Sequence, residues 1–141
     1  MNNAPRDTFR TVTLRRTQKG QFTATNSRGI ELPIGGEHNF SPVELLLAAL
    51  GGCTAADVDA LTSRRADPET FEVEARGDKI RDEAGNRMEN LEVIFRVRFP
   101  HTEAGDEARA VLPDMVAKSH DRLCTVSRTI ELPTPIKTTI E

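Results

Sequence analysis

Two thiols, Cys53 and Cys124, are the side chains of this 141-residue chain best suited to chemistry. A thiol attacks or ligates as its thiolate, so each position is judged by what would stabilise the anion. Cys53 lies mid-way along a helical pattern, where the helix dipole offers little, so ionising it calls for an arginine from elsewhere in the fold. Cys124 precedes Ser127 and Arg128 at a helix start, a better place to hold negative charge. Two readings stay open at this point. If both helical segments pack on one sheet, the sulfurs meet as a reactive pair; otherwise they are buried, inert thiols of the common kind. Asp57, one turn beyond Cys53, would raise the pKa of a neighbouring thiol unless a cation sits between them. His38, His101 and His120 are scattered; His38, just before the helix, either borders a pocket or is a solvated loop residue. No His/Cys pair has the close spacing of zinc ligands, so neither a metal nor a cofactor is expected.

The element that must position Cys53 is the stretch SPVELLLAALGGCT, residues 41–54, continued by AADVDALTSRR. Ser41 suits the N-cap and Pro42 the first helical position. Glu44, three residues on, can return a hydrogen bond to the cap. Val43, Leu46, Leu47, Leu50, Cys53, Asp57, Val58 and Leu61 recur at helical intervals, which puts Cys53 within the core-facing stripe. Gly51 and Gly52 each cost a helix about 1 kcal/mol relative to Ala. With Ala48, Ala49, Ala55 and Ala56 they make a narrow face. That face permits a close helix crossing, and it also leaves room for a substrate beside the sulfur, with Val43, Leu47, Gly51 and Gly52 as the lining.

Around this helix the chain reads as α+β. A polar tail covers 1–7, and strands are expected over 8–14, 21–25 and 30–34, separated by turns at Lys19-Gly20 and Asn26–Gly29. After the helix, 70–75 alternates on Phe71, Val73 and Ala75, with Ile80 extending it. A turn at 83–87 then leads into 91–99, where Leu91, Val93, Phe95, Val97 and Phe99 alternate without a break. These two form a long antiparallel hairpin. A second helical region runs from Glu103 to about Leu123, with Pro113 predicting a kink or two short helices. Residues 124–130 form a turn or helix start, and 136–140 a last strand. The order of three strands, a helix, two strands, helical pieces and a strand implies antiparallel sheets in one domain, 1–141. The first helix is apolar over more than one sheet face would cover, which points to a dimer built around it.

Composition narrows the function. Hydrophobic residues make up 37% and charged residues 29%, and the net charge of −3 is interspersed, so no basic face for nucleic acid or an anionic membrane is expected. Trp and Tyr are absent, which argues against base stacking. No unbroken apolar run approaches the roughly 20 residues of a membrane span, and MNNAPRDTFR is not of signal-peptide type, so a cytoplasmic protein is expected.

SPVELLLAALGGCTAADV, followed about 70 residues later by RLCTVSRTI, resembles the OsmC/Ohr family of thiol-dependent hydroperoxide reductases, over nearly the whole chain. The resemblance implies an intertwined homodimer with long central helices enclosed by antiparallel sheets. It also implies reduction of small organic hydroperoxides. Cys53 would attack the O–O bond and become a sulfenic acid, Cys124 would condense with it to a disulfide, and a dithiol would reduce that disulfide. In the hydroperoxide-reducing branch an Arg after the first strand activates the thiolate; here the candidates are Arg16, then Arg15. That branch also has Glu directly after the cap Pro. This chain has Val43 there and Glu44 one residue later, about 100° further round the helix. The match is therefore closer to the broader OsmC-like branch. The alternative is a non-catalytic relative that binds a small apolar ligand beside the central helix.

Overall fold

The computed structural model describes residues 7–141. The tail expected over 1–7 falls, apart from Asp7, outside them. The chain divides into two compact units, 1–46 and 47–141.

In the first unit, β1 (Val12–Gln18), β2 (Gln21–Asn26) and β3 (Glu31–Ile34) form an antiparallel sheet in chain order. The first strand starts and ends later than its apolar residues suggest. Backbone pairing carries it through Arg15 and Arg16, opposite Thr23 and Phe22, although these residues bury nothing. The register separates two faces. Val12, Leu14, Phe22, Ala24, Leu32 and Ile34 share one with Arg16; Thr13, Arg15, Thr23, Thr25 and Glu31 share the other. The expected turns form: Gly20 and Gly29 adopt left-handed backbone, and the Asn26 side-chain oxygen accepts from the N–H of Arg28 and of Ile30. Ser41 and Glu44 then make the reciprocal cap. The Glu44 N–H donates to Ser41 Oγ at 3.1 Å, and the Ser41 N–H donates to Glu44 Oε1 at 3.0 Å.

Helix α1 (Pro42–Thr62) starts from this cap and runs into the second unit, where Leu50, Gly51, Thr54, Val58 and Leu61 are buried. At 21 residues with a hydropathy of 1.4 it matches a membrane span in length and composition, which a count of unbroken apolar runs did not anticipate. A third of that span, 33%, is buried inside the protein. A Cβ on Gly51 would stand 3.3 Å from Ala75 Cβ and 3.7 Å from Val73 Cγ1, so the missing side chain lets the helix approach β4.

The hairpin is longer than its apolar alternation. β4 (Thr70–Asp82) and β5 (Gly85–Arg98) pair antiparallel, with a bulge between Arg76 and Asp78. Phe71, Val73 and Ala75 oppose Val97, Phe95 and Val93 on the helix-facing side, where the Phe71 and Phe95 rings meet edge to face at 6.2 Å. On the outer side Arg96 pairs with Glu72 and Glu74, and Arg76 with Glu92; these exposed pairs add little stability.

Helix α2 (Glu103–Lys118) is capped by Thr102 and runs through Pro113 as a single helix, so of the expected kink or two short helices the second does not form. The break comes at Ser119, more than a turn beyond Pro113. Residues Ser119–Leu123 form one π-helical turn, closed by the Cys124 N–H donating to the Ser119 carbonyl at 2.8 Å. Helix α3 (Thr125–Glu131) follows. The strand expected over 136–140 does not form among the described residues. Ile136 and Ile140 are 90% and 95% exposed, and an isolated apolar segment with no neighbouring strand edge has nothing to pair with.

Candidate thiol site

The second unit brings the two cysteines together. Cys53 Sγ, Cys124 Sγ and a carboxylate oxygen of Asp57 all lie within 4.8 Å of one another. Cys53 and Asp57 are one turn apart on α1, and Cys124 arrives from the N-cap of α3. Cys124 is fully buried, whereas Cys53 and Asp57 are half-buried, so Cys53 is the more accessible sulfur.

The two thiols have unlike surroundings. Burial pushes the Cys53 thiol up, and the neighbouring Cys124 sulfur adds to this, against N–H groups of Val126 and Thr125 that pull it down. Burial also opposes ionisation of Cys124, but it is outweighed by hydrogen bonds from Ser127, from Cys53 and from the Val126 N–H, so its pKa falls. The Ser127 N–H donates to Cys124 Sγ at 3.4 Å. Of the two, Cys124 is therefore the more acidic thiol, because the first N–H groups of α3 favour its anion. Among the described residues of the second unit no guanidinium bonds either sulfur. An arginine-activated Cys53 is not what this unit supplies.

Beneath the sulfurs lies a line of buried hydroxyls. Ser119 Oγ is 2.8 Å from Thr54 Oγ1 and donates to Asp57 Oδ2 at 3.1 Å. Ser119 is inaccessible and Thr54 nearly so. The π turn brings Ser119 here, five residues before Cys124. Asp57 was flagged by its spacing from Cys53, but Ser119 and Thr54 were not. The available signal was a hydroxyl on the apolar stripe of each helix, which must find a partner when buried.

Arg15, Arg16, Val43 and Glu44 belong to the first unit. Arg16 stands on the apolar face of the first unit's sheet and Arg15 on its polar face, both exposed. Glu44 is exposed and engaged by the cap, where the Ser41 N–H and hydroxyl hold its pKa down. Val43 and Leu47 are half-buried; Gly51 meets β4, and the space around Gly52 is open. None of these four lines the second unit's cavity of about 290 Å³, which lies on the Leu50 and Thr54 side of α1. Its wall is mostly apolar, from Leu50, Leu91, Val93, Phe95, Val116 and Ile130, with His120 and Glu131 at one side. His120 Nδ1 is 3.0 Å from Asp121 Oδ1 and its Nε2 is 2.8 Å from Glu131 Oε1, and these two carboxylates raise its pKa. His38 is an exposed loop residue.

The OsmC family model, described as OsmC-like protein, matches residues 35–139. Solved structures share the fold. A hypothetical protein from Aquifex aeolicus VF5 superposes with a TM-score of 0.71 at 22% identity, over 87% of each chain. An OsmC-like protein of unknown function from Vibrio cholerae gives 0.66 at 14% identity, over 88% of this chain and 94% of that one. The organic hydroperoxide resistance protein OhrB of Bacillus subtilis gives 0.59 at 15%, over 87% and 90%. No curated protein matches. With the motif around Cys53 and that around Cys124 both inside the matched span, the chain belongs to the OsmC-like family.

Proposed function

We propose that the chain reduces organic hydroperoxides with a dithiol as the electron donor. The observation that carries the reading is the approach of the two sulfurs to within 4.8 Å, one half-buried and one buried at a helix start that lowers its pKa. Cys53 passes its proton to Cys124 and attacks the outer peroxide oxygen. The O–O bond breaks, the alkoxide takes a proton and leaves as alcohol, and Cys53 becomes a sulfenic acid. The Cys124 sulfur then attacks Cys53, the hydroxyl leaves as water, and a disulfide remains. Two thiols and one hydroperoxide thus give a disulfide, an alcohol and water; an external dithiol restores the thiols by exchange. The exposed apolar residues of the first sheet, among them Val12, Leu14 and Leu32, support a homodimer in which that face is covered.

The test mixes reduced protein with an organic hydroperoxide and excess dithiol and follows peroxide loss. The expected result is turnover that Cys53→Ser abolishes; no turnover, or turnover that survives the substitution, removes the mechanism. The mostly apolar cavity favours a second reading, a non-catalytic protein that binds a small apolar ligand. That reading requires a saturable ligand without peroxide turnover.

A further inference from the structure

We infer that the reduced site is also a binding site for a thiophilic divalent cation, with zinc as the ion its donor set fits. The three donors are Cys53 Sγ, Cys124 Sγ and an Asp57 carboxylate oxygen. Zinc bonds of about 2.3 Å to sulfur and about 2.0–2.2 Å to oxygen, at tetrahedral angles, place donor atoms roughly 3.5–3.8 Å apart. The observed separations, none above 4.8 Å, need to close by at most about an ångström, which side-chain rotation supplies. Two thiolates with one carboxylate select a zinc-like ion over magnesium or calcium, which prefer oxygen. Three protein donors leave a fourth position for water or an exogenous ligand.

The surroundings give the ion a reason to bind. Two thiols and a carboxylate converge where no guanidinium of the same unit bonds the sulfurs, so the cluster offers three donors with no cation among them. Asp57 is oriented from behind: its Oδ2 accepts from Ser119, itself tied to Thr54 at 2.8 Å. Support of this kind holds a carboxylate ligand in place. Close spacing in sequence does not reveal this set. Only Cys53 and Asp57 are near neighbours, and the third donor comes from the far side of the hairpin and α2. Binding requires both cysteines reduced, because a disulfide removes two of the three donors. The ion and the peroxide therefore compete for the same sulfurs.

Cobalt(II) is the probe, added to the reduced full-length protein without oxygen. The expected result is one cobalt per chain with a thiolate-to-cobalt charge-transfer band, bleached by stoichiometric zinc. The band is lost in Cys53→Ser and in Cys124→Ser, and Asp57→Asn weakens cobalt binding by more than about tenfold. Alkylating the half-buried Cys53 of folded wild-type protein abolishes the band without relying on a variant's folding. A missing band in the wild type overturns the proposal. So does a band that persists after Cys53 is alkylated, or binding that is unchanged in Asp57→Asn. The titration uses no peroxide, so its outcome is independent of whether the chain turns over hydroperoxide.

Discussion

Replacing Ser119 with alanine removes the hydroxyl that joins α1 to the end of α2. The side chain is fully buried and makes two bonds, one to Thr54 Oγ1 at 2.8 Å and one to Asp57 Oδ2 at 3.1 Å. A neutral bond contributes about 0.5–1.5 kcal/mol and a bond to a charged group about 1.5–3 kcal/mol. Asp57 is only half-buried and recovers part of its loss from water, whereas Thr54 is left with a buried, unpaired hydroxyl. The expected destabilisation is about 2–3 kcal/mol. At a urea dependence of about 2 kcal/mol/M, that lowers the unfolding midpoint by roughly 1 M at fixed protein concentration. Thr54→Val removes the other end of the first bond, and a double-mutant cycle with Ser119→Ala should show a coupling of about 1 kcal/mol. A loss below about 0.5 kcal/mol for Ser119→Ala, or additive effects in the cycle, would refute the claim that these hydroxyls tie the two helices together.

Two further outcomes follow from the geometry. In metal-free buffer the wild-type thiols should titrate in two apparent steps, the upper one largely Cys53, because burial and then the neighbouring Cys124 sulfur raise it. In Cys124→Ser that contribution disappears, so Cys53 should become reactive toward an alkylating agent at lower pH than the wild-type upper step; an unchanged or higher step contradicts the shared-proton pair. Gly52→Ala should stabilise α1 by about 1 kcal/mol, because its Cβ meets open space, while Gly51→Val should cost about 1–3 kcal/mol against Ala75 and Val73. Thermal unfolding that ranks the two variants the other way would place the wrong glycine against β4.

What the sequence made legible depended on whether the cause was local. The Ser41/Glu44 cap, the turns at Gly20 and Gly29, and the alternation on Phe71, Val73, Phe95 and Val97 are each decided within a few residues or by a period of two. The lowered pKa of Cys124 belongs to the same class, since a helix start can be read from the chain and its N–H groups sit beside the sulfur. Features set by distant partners were not legible. The π turn at Ser119–Leu123 exists where α2 ends, not at Pro113, and it decides which residues face α1. Because that turn carries Ser119 to Thr54 and Asp57, and delivers Cys124 to Cys53, the site is assembled by one irregular turn that no spacing rule encodes. The same logic explains why the segment over 136–140 read as a strand and is not one. Alternation states what a residue would bury, whereas a strand must also pair with an edge, and the segment over 136–140 pairs with none among the described residues.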